Sequence, residues 1–223
     1  LVRTTHFDVS VLMNLSPDHL DRHGDMDGYI AAKRHIFDRQ ERNDVAILGV
    51  DDASSEALCR QMIAAGDQRV IPIMTTQTSD KGVWVKDGVL HNPLASPELT
   101  CDLKSIVSLQ GEHNHQNAAA AYAACWSVGL PHEAIIEGLF SFPGLAHRMQ
   151  FIAEHKGVRF INDSKATNAD AAAKSLNTFD HIHWIIGGVS KSGGIEPLAQ
   201  FFPKIAHAYL IGKAQDEFAA TLE

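Results

Sequence analysis

Cysteine is scarce in this 223-residue chain: Cys59, Cys101 and Cys125 are the only three. They are scattered and show no metal-ligand spacing, which argues against a disulfide framework and a zinc site and reads as reduced thiols. No apolar run approaches the roughly 20 residues needed to span a bilayer, and no signal-peptide pattern is visible, so no membrane is expected and the cytoplasm is the expected location. An excess of positive charge is also lacking. The formal net charge is −8, which argues against a general affinity for nucleic acid. An initiator methionine is missing at Leu1, and Glu223 falls part-way into a helical pattern, so the sequence reads as a cut piece. No phosphate loop of the GxxGK[ST] type occurs. The stretch GGVSKSGG at 187–194 mimics one, but no glycine directly precedes Lys191.

What remains is ordinary for a globular protein: 45% hydrophobic and 21% charged residues, in a length that suits one large or two ordinary domains. Histidine is frequent, at thirteen, but mostly isolated, so most are expected to be structural or exposed.

The most informative stretch is VRFINDSKATNAD, Val158–Asp170. Val158–Ile161 is a β-branched and aromatic run of strand type. A polar loop from Asn162 to Thr167 follows, and Asn168 is placed to cap an alanine-rich helix at Ala169–Leu176. Strand, polar loop and helix start in this order build a ligand site at the carboxyl end of a sheet. Free N–H groups at the helix start, the charge of Lys165 and the carboxylate of Asp163 suit an anion, a metal or a hydroxyl. A capped turn with solvated polar residues accounts for the same letters.

Upstream, Phe7–Leu15 reads as a strand ending at Ser16-Pro17. The loop DHLDRHGD at 18–25 then packs two histidines and three aspartates into eight residues. It suits a metal or phosphate site at a strand's carboxyl end, or simply a solvated turn. Asp25 is placed to cap a helix over Met26–Asp38. The apolar stripe Met26, Ile30, Phe37, with Tyr29 and Ile36 alongside, puts Lys33 in the middle of the buried face, where it either snorkels to the edge or serves as a buried functional amine.

Asp44–Asp52 and Arg69–Met74 read as further strands, with a helix near Ser54–Ala65 between them. Asp87-Gly88 predicts a hairpin turn between Val83–Val85 and Val89–Leu90. These segments read as scaffold. After Gly111 comes a long alanine-rich helix to about Val128. Asn114 and Asn117 share one face near its start, and two amides there can read an adenine edge. Capping and packing explain one of them more easily than both. A helix at His132–Phe142 ends in Pro143-Gly144, where the domain boundary and hinge are placed. Beyond it, strands at Val158–Ile161, His183–Ile186 and Ala208–Ile211 alternate with helices. That βαβαβ pattern predicts one parallel sheet with its loops on one edge.

NLSPDHLDRH, AAKRHIF, GEHNHQNAAAA, HRMQF, NDSKATN and GGVSKSGG together resemble the Mur ligases, over nearly the whole chain. The resemblance implies an α/β chain with two parts. Residues 1–144 would be a truncated P-loop-type central domain, lacking the P-loop itself, that binds ATP. Residues 145–223 would be a Rossmann-like C-terminal domain.

It further implies an ATP-dependent amide ligase of peptidoglycan precursor synthesis that uses ATP and Mg2+. INDSKATN differs from the DYAH-type and DSYNAN-type stretches of sister ligases. Together with Lys165 and Lys191 it points to D-glutamate as the amino acid added, with UDP-N-acetylmuramoyl-L-alanine as the acceptor. The implied roles are His19 and carbamylated Lys33 at magnesium, Asn114 and Asn117 at adenine, Arg148 and Asp163 at ATP, and Lys165, Thr167 and Lys191 at substrate.

A monomer is expected, and the piece alone is expected to be inactive and to bind ATP poorly. Rival readings are another Mur-type amino acid ligase, a metal-dependent phosphohydrolase built on DHLDRHGD, and a non-catalytic binding module.

Overall fold

The computed structural model describes residues 4–16, 20–190 and 193–223. The chain packs as two compact units, one of residues 1–106 with 114–141 and one of residues 107–113 with 142–223.

The first unit is built on a six-stranded sheet in the order β1-β2-β3-β4-β5-β6. Its strands are β1 (Val9–Leu12), β2 (Val45–Gly49), β3 (Arg69–Met74), β4 (Val83–Lys86), β5 (Val89–Asn92) and β6 (Leu99–Asp102). β1 to β4 run parallel, and β4, β5 and β6 form an antiparallel meander. All five residues of β2 are buried, as expected of an interior parallel strand with both faces covered. Asp87 and Gly88 both have positive φ, at 50° and 72°, which gives the tight hairpin that Asp-Gly favours.

The helices are α1 (Leu20–His23), α2 (Met26–Arg34), α3 (Ala53–Ala65), α4 (Glu112–Ser127) and α5 (His132–Ser141). α3 starts where the Asp52 carboxylate accepts the Ser55 N–H at 2.8 Å, and ends at Gly66 with φ 71°. Asp25 caps α2 as predicted, accepting from Gly28 N at 2.8 Å. Strand and helix lengths differ somewhat from the sequence expectation. β1 covers only Val9–Leu12, and α2 gives way to a 3-10 turn at His35–Phe37.

Lys33 is exposed, which corrects the expectation of a buried amine. Tyr29 and Phe37 turn into the core with Leu12, Leu48 and Met62. Lys33, one turn beyond Tyr29, lies with its ammonium 5.3 Å from the Tyr29 ring centroid. The stem follows the aromatic face while the charge reaches water, a cation–π variant of snorkelling.

The second unit contains β7 (Gln150–His155), β8 (Val158–Asn162), α6 (Ala169–Thr178), β9 (Ile182–Gly188), β10 (Ile205–Gly212) and α7 (Gln215–Leu222), with a 3-10 helix at Glu196–Lys204. β9 and β10 are parallel, as expected. α6, the 3-10 helix and α7 cover one face of the pair through Leu176, Leu198 and Phe218.

The expected single sheet for the three strands is not observed among the described residues. β8 instead forms a two-stranded antiparallel hairpin with β7. Lys156 and Gly157, with φ 52° and 78°, close that hairpin in two residues, so β8 finds its ladder partner locally.

Candidate active site

In the first unit the parallel strands β1, β2 and β3 deliver their following loops to one edge. Two consecutive carboxylates stand there. Asp52, besides capping α3, accepts the Leu15 N–H at 3.2 Å and so ties the loop after β1 to the start of α3. Asp51 accepts Thr75 N at 2.8 Å and Thr76 N at 3.0 Å, the Thr75 and Thr76 hydroxyls at 3.1 and 2.8 Å, and the Gln116 side-chain amide at 2.7 Å. The backbones also meet closely here. A Cβ on Gly49 would lie 1.9 Å from the Met13 carbonyl oxygen and 3.1 Å from Gln116 Nε2. Sequence reading passed over Asp51 and Gln116. The only local signal was the pair Asp51-Asp52 after one strand and Thr75-Thr76 after the next.

α4 carries Asn114 and Asn117 at the spacing of one helical face. Asn117 Nδ2 donates to Asn114 Oδ1 at 3.3 Å, with Asn114 half-buried and Asn117 exposed. The helix is held behind them by buried Ala118, Ala119, Ala120 and Tyr122. Neighbouring primary amides near a helix start present donors and acceptors together, which suits the edge of a purine base.

His19 lies outside the described residues, as does Lys191. Much of the described remainder of DHLDRHGD has structural work: Asp25 caps α2, and the His23 ring meets Tyr29 edge-on at 5.4 Å. Among the described residues no group of three His, Cys, Asp or Glu side chains is placed to hold a metal ion. Lys33 stands exposed over Tyr29.

In the second unit Arg148 sits in a turn with unusual backbone. His147 and Met149, its neighbours, both have positive φ, at 66° and 45°. Such conformations cost non-glycine residues about 1–3 kcal/mol each and persist only when surrounding bonds over-determine them. Those bonds are present. Arg148 N donates to Leu145 O at 3.1 Å, His147 N to Gln150 Oε1 at 2.9 Å, and Met149 N to Asp163 Oδ1 at 2.9 Å. Lys165 N donates to His147 O at 3.0 Å, and the Asn162 amide pairs with His147 Nδ1 at 3.1 Å. The result is an exposed Arg148 on a braced turn.

The NDSKATN loop is the other half of the brace. Asp163 is engaged through both oxygens, by Met149 N–H and by the Ser175 hydroxyl of α6. Ser164 N and Ala166 N donate to Asn162 Oδ1 and Asp163 O at 3.1 and 2.8 Å. Asn168 caps α6 as predicted, accepting Ala171 N at 2.8 Å. Lys165 and Thr167 are exposed on this loop. The structure thus brings together Arg148, Asp163 and Lys165 of the predicted residues. His147 and Ser175, which sequence reading did not single out, hold them.

The sequence pattern of the Mur ligase middle domain matches residues 1–125, and that of the Mur ligase glutamate ligase domain matches residues 147–223. The chain is 49% identical over 219 residues to a protein of Caulobacter sp. (strain K31) named UDP-N-acetylmuramoylalanine--D-glutamate ligase, covering 97% of this chain and 46% of that protein. A protein of the same name from Phenylobacterium zucineum is 45% identical, with 100% and 48% coverage. The chain therefore spans about half the length of these relatives.

Among solved structures, MurF ligase from Thermotoga maritima in complex with ADP is similar with a TM-score of 0.66 at 19% identity, covering 95% of this chain and 50% of that one. MurF from Acinetobacter baumannii is similar with a TM-score of 0.64 at 22% identity, with 96% and 48% coverage. At these identities the likeness is one of fold.

Proposed function

Because the chain belongs to the Mur ligase family, we propose that it is the ATP-binding central part (residues 1–144) and the Rossmann-like C-terminal part (residues 145–223) of an ATP-dependent ligase. The ligase joins D-glutamate to UDP-N-acetylmuramoyl-L-alanine in peptidoglycan precursor synthesis. The names of the relatives at 45% to 50% identity support the substrates. The observation that carries the chemistry is the braced corner of the second unit, where Arg148 and Lys165 stand exposed on two loops tied by the bond from Lys165 N to His147 O.

In this reaction the acceptor carboxylate takes the γ-phosphoryl group of ATP, releasing ADP. The D-glutamate amine then attacks the acyl carbon, the carbon–oxygen bond to phosphate breaks, and the amine loses a proton. The protein's part in such chemistry is to position the reactants and to neutralise charge. Asn114 and Asn117 hold adenine. Arg148 offers its guanidinium to the phosphates, and Asp163 serves ATP while bracing the Arg148 turn. Lys165, Thr167 and Lys191 hold the substrate carboxylates. The same reading assigns His19 and, as its carbamate, Lys33 to Mg2+. The enzyme acts as a monomer in the cytoplasm, without nucleic acid or membrane. Among the described residues no helix is long and apolar enough to cross a bilayer. The 223 residues alone, which contain no GxxGK[ST] loop, do not turn over.

Lys165→Ala in the full-length ligase tests the assignment. A charge-assisted hydrogen bond to a carboxylate is worth about 1.5–3 kcal/mol, so the D-glutamate KM is expected to rise roughly ten- to a hundredfold. An unchanged KM and kcat would remove Lys165 from the site.

A further inference from the structure

Asp51 has no role in the reading above, yet it gathers donors from two separate elements. The turn after β3 supplies two backbone N–H groups and two hydroxyls, from Thr75 and Thr76. α4 supplies the Gln116 amide at 2.7 Å, across 65 positions of sequence. Donors from several directions fix both the rotation of the carboxylate and the direction from which Gln116 reaches it.

Gln116 is also seated on backbone. A Cβ on Gly49 would come within 3.1 Å of its Nε2, so the bare glycine leaves the space the amide uses. On a helix that turns about 100° per residue, Gln116 points about 100° away from Asn117 and about 200° away from Asn114. Fixing Gln116 against the sheet edge therefore fixes the azimuth of the asparagine pair.

We propose that Asp51 is a positioning residue for nucleotide recognition: through Gln116 it sets the rotation of the first turns of α4 and so the aim of Asn114 and Asn117. The inference rests on the assignment of that pair to adenine. It also separates the donors of Asp51 by task. The threonines hold the loop after β3, and Gln116 carries the effect to α4.

The test is steady-state kinetics of the full-length ligase with ATP and with inosine triphosphate, in five variants. Gln116→Ala is expected to raise the ATP KM about tenfold and to erode the preference for ATP, with kcat within about twofold, because a small misaim of a binding group costs affinity. Asp51→Asn, which turns an amide toward donors, is expected to do the same, and the double variant to be no worse than Asp51→Asn alone. Thr75→Val is the control for a merely structural role. It is expected to lower Tm and to leave the ATP KM unchanged.

Asn117→Ala checks the adenine assignment itself. If Asn117→Ala raises the ATP KM while Gln116→Ala does not, the positioning role is overturned and the adenine assignment stands. If Asn117→Ala leaves the ATP KM unchanged, the adenine assignment fails and the inference falls with it. Should Asp51→Asn not fold, Gln116→Ala against Thr75→Val still decides.

Discussion

Lys165 donates its backbone N–H to the carbonyl of His147 at 3.0 Å, joining the loop after β8 to the turn that carries Arg148. The two cations of the corner are thereby fixed through main chain rather than through their own long side chains. Both termini of these side chains stay available to anions, while the ordering cost is borne by the backbone on folding.

Asp163 is the second tie across that corner. Asp163→Ala removes the acceptor of Met149 N–H, in a part-buried position, and of the Ser175 hydroxyl. Leaving such donors unmatched costs about 1–3 kcal/mol. Thermal unfolding followed by circular dichroism should show a lower Tm for the 223-residue chain. A Tm equal to the parent's would mean that the turn is held without Asp163.

Gly49 is predicted to be intolerant of even one methyl group. Its Cβ would meet the Met13 carbonyl at 1.9 Å, a backbone atom one residue beyond β1 that cannot swing away as a side chain could. Gly49→Ala should destabilise by at least about 1–3 kcal/mol, read as a lower urea midpoint. Gly138→Ala, where a Cβ would meet nothing within 4 Å, is the matched control and should be neutral or stabilising.

A pH dependence follows from His6 and Asp44, 2.6 Å apart. The Asp44 hydrogen bond and charge raise His6 above its ordinary pKa, and the Glu41 backbone N–H, then His6, lower Asp44 below its own. The raised histidine stabilises the fold fully below its unfolded pKa, and that contribution is lost as pH rises through the folded value. The lowered aspartate stabilises above its unfolded pKa, and that is lost as pH falls through the folded value. The pair therefore contributes most between the ordinary carboxylate and imidazole ranges. Urea midpoints measured against pH should fall on both sides of that window, and His6→Ala should flatten the alkaline limb. An alkaline limb unchanged in His6→Ala would contradict this.

Much of the frame was legible because its signals are local. Arg69–Met74 is β3 to the residue, Asp87-Gly88 makes its turn, and Asp25 and Asn168 cap the helices they precede. Periodicity misled at Lys33. Position 33 does share the stripe of Tyr29, but a long cationic stem can follow that stripe outward, and the pattern of letters does not separate the two outcomes. β7 was missed, and with it the hairpin that takes β8 out of the expected parallel sheet. Asp51 was passed over as scaffold because its partners lie 24 to 65 positions away, and contacts of that separation leave no local pattern.

The central claim is the identity of the amino acid joined, and it is tested most directly by product formation with the full-length ligase. The protein is supplied with ATP, Mg2+ and UDP-N-acetylmuramoyl-L-alanine, together with D-glutamate, L-alanine or a diamino acid in turn. The account predicts ADP, phosphate and the ligated product with D-glutamate. A preference for L-alanine or a diamino acid, or phosphate release without any ligated product, would contradict it.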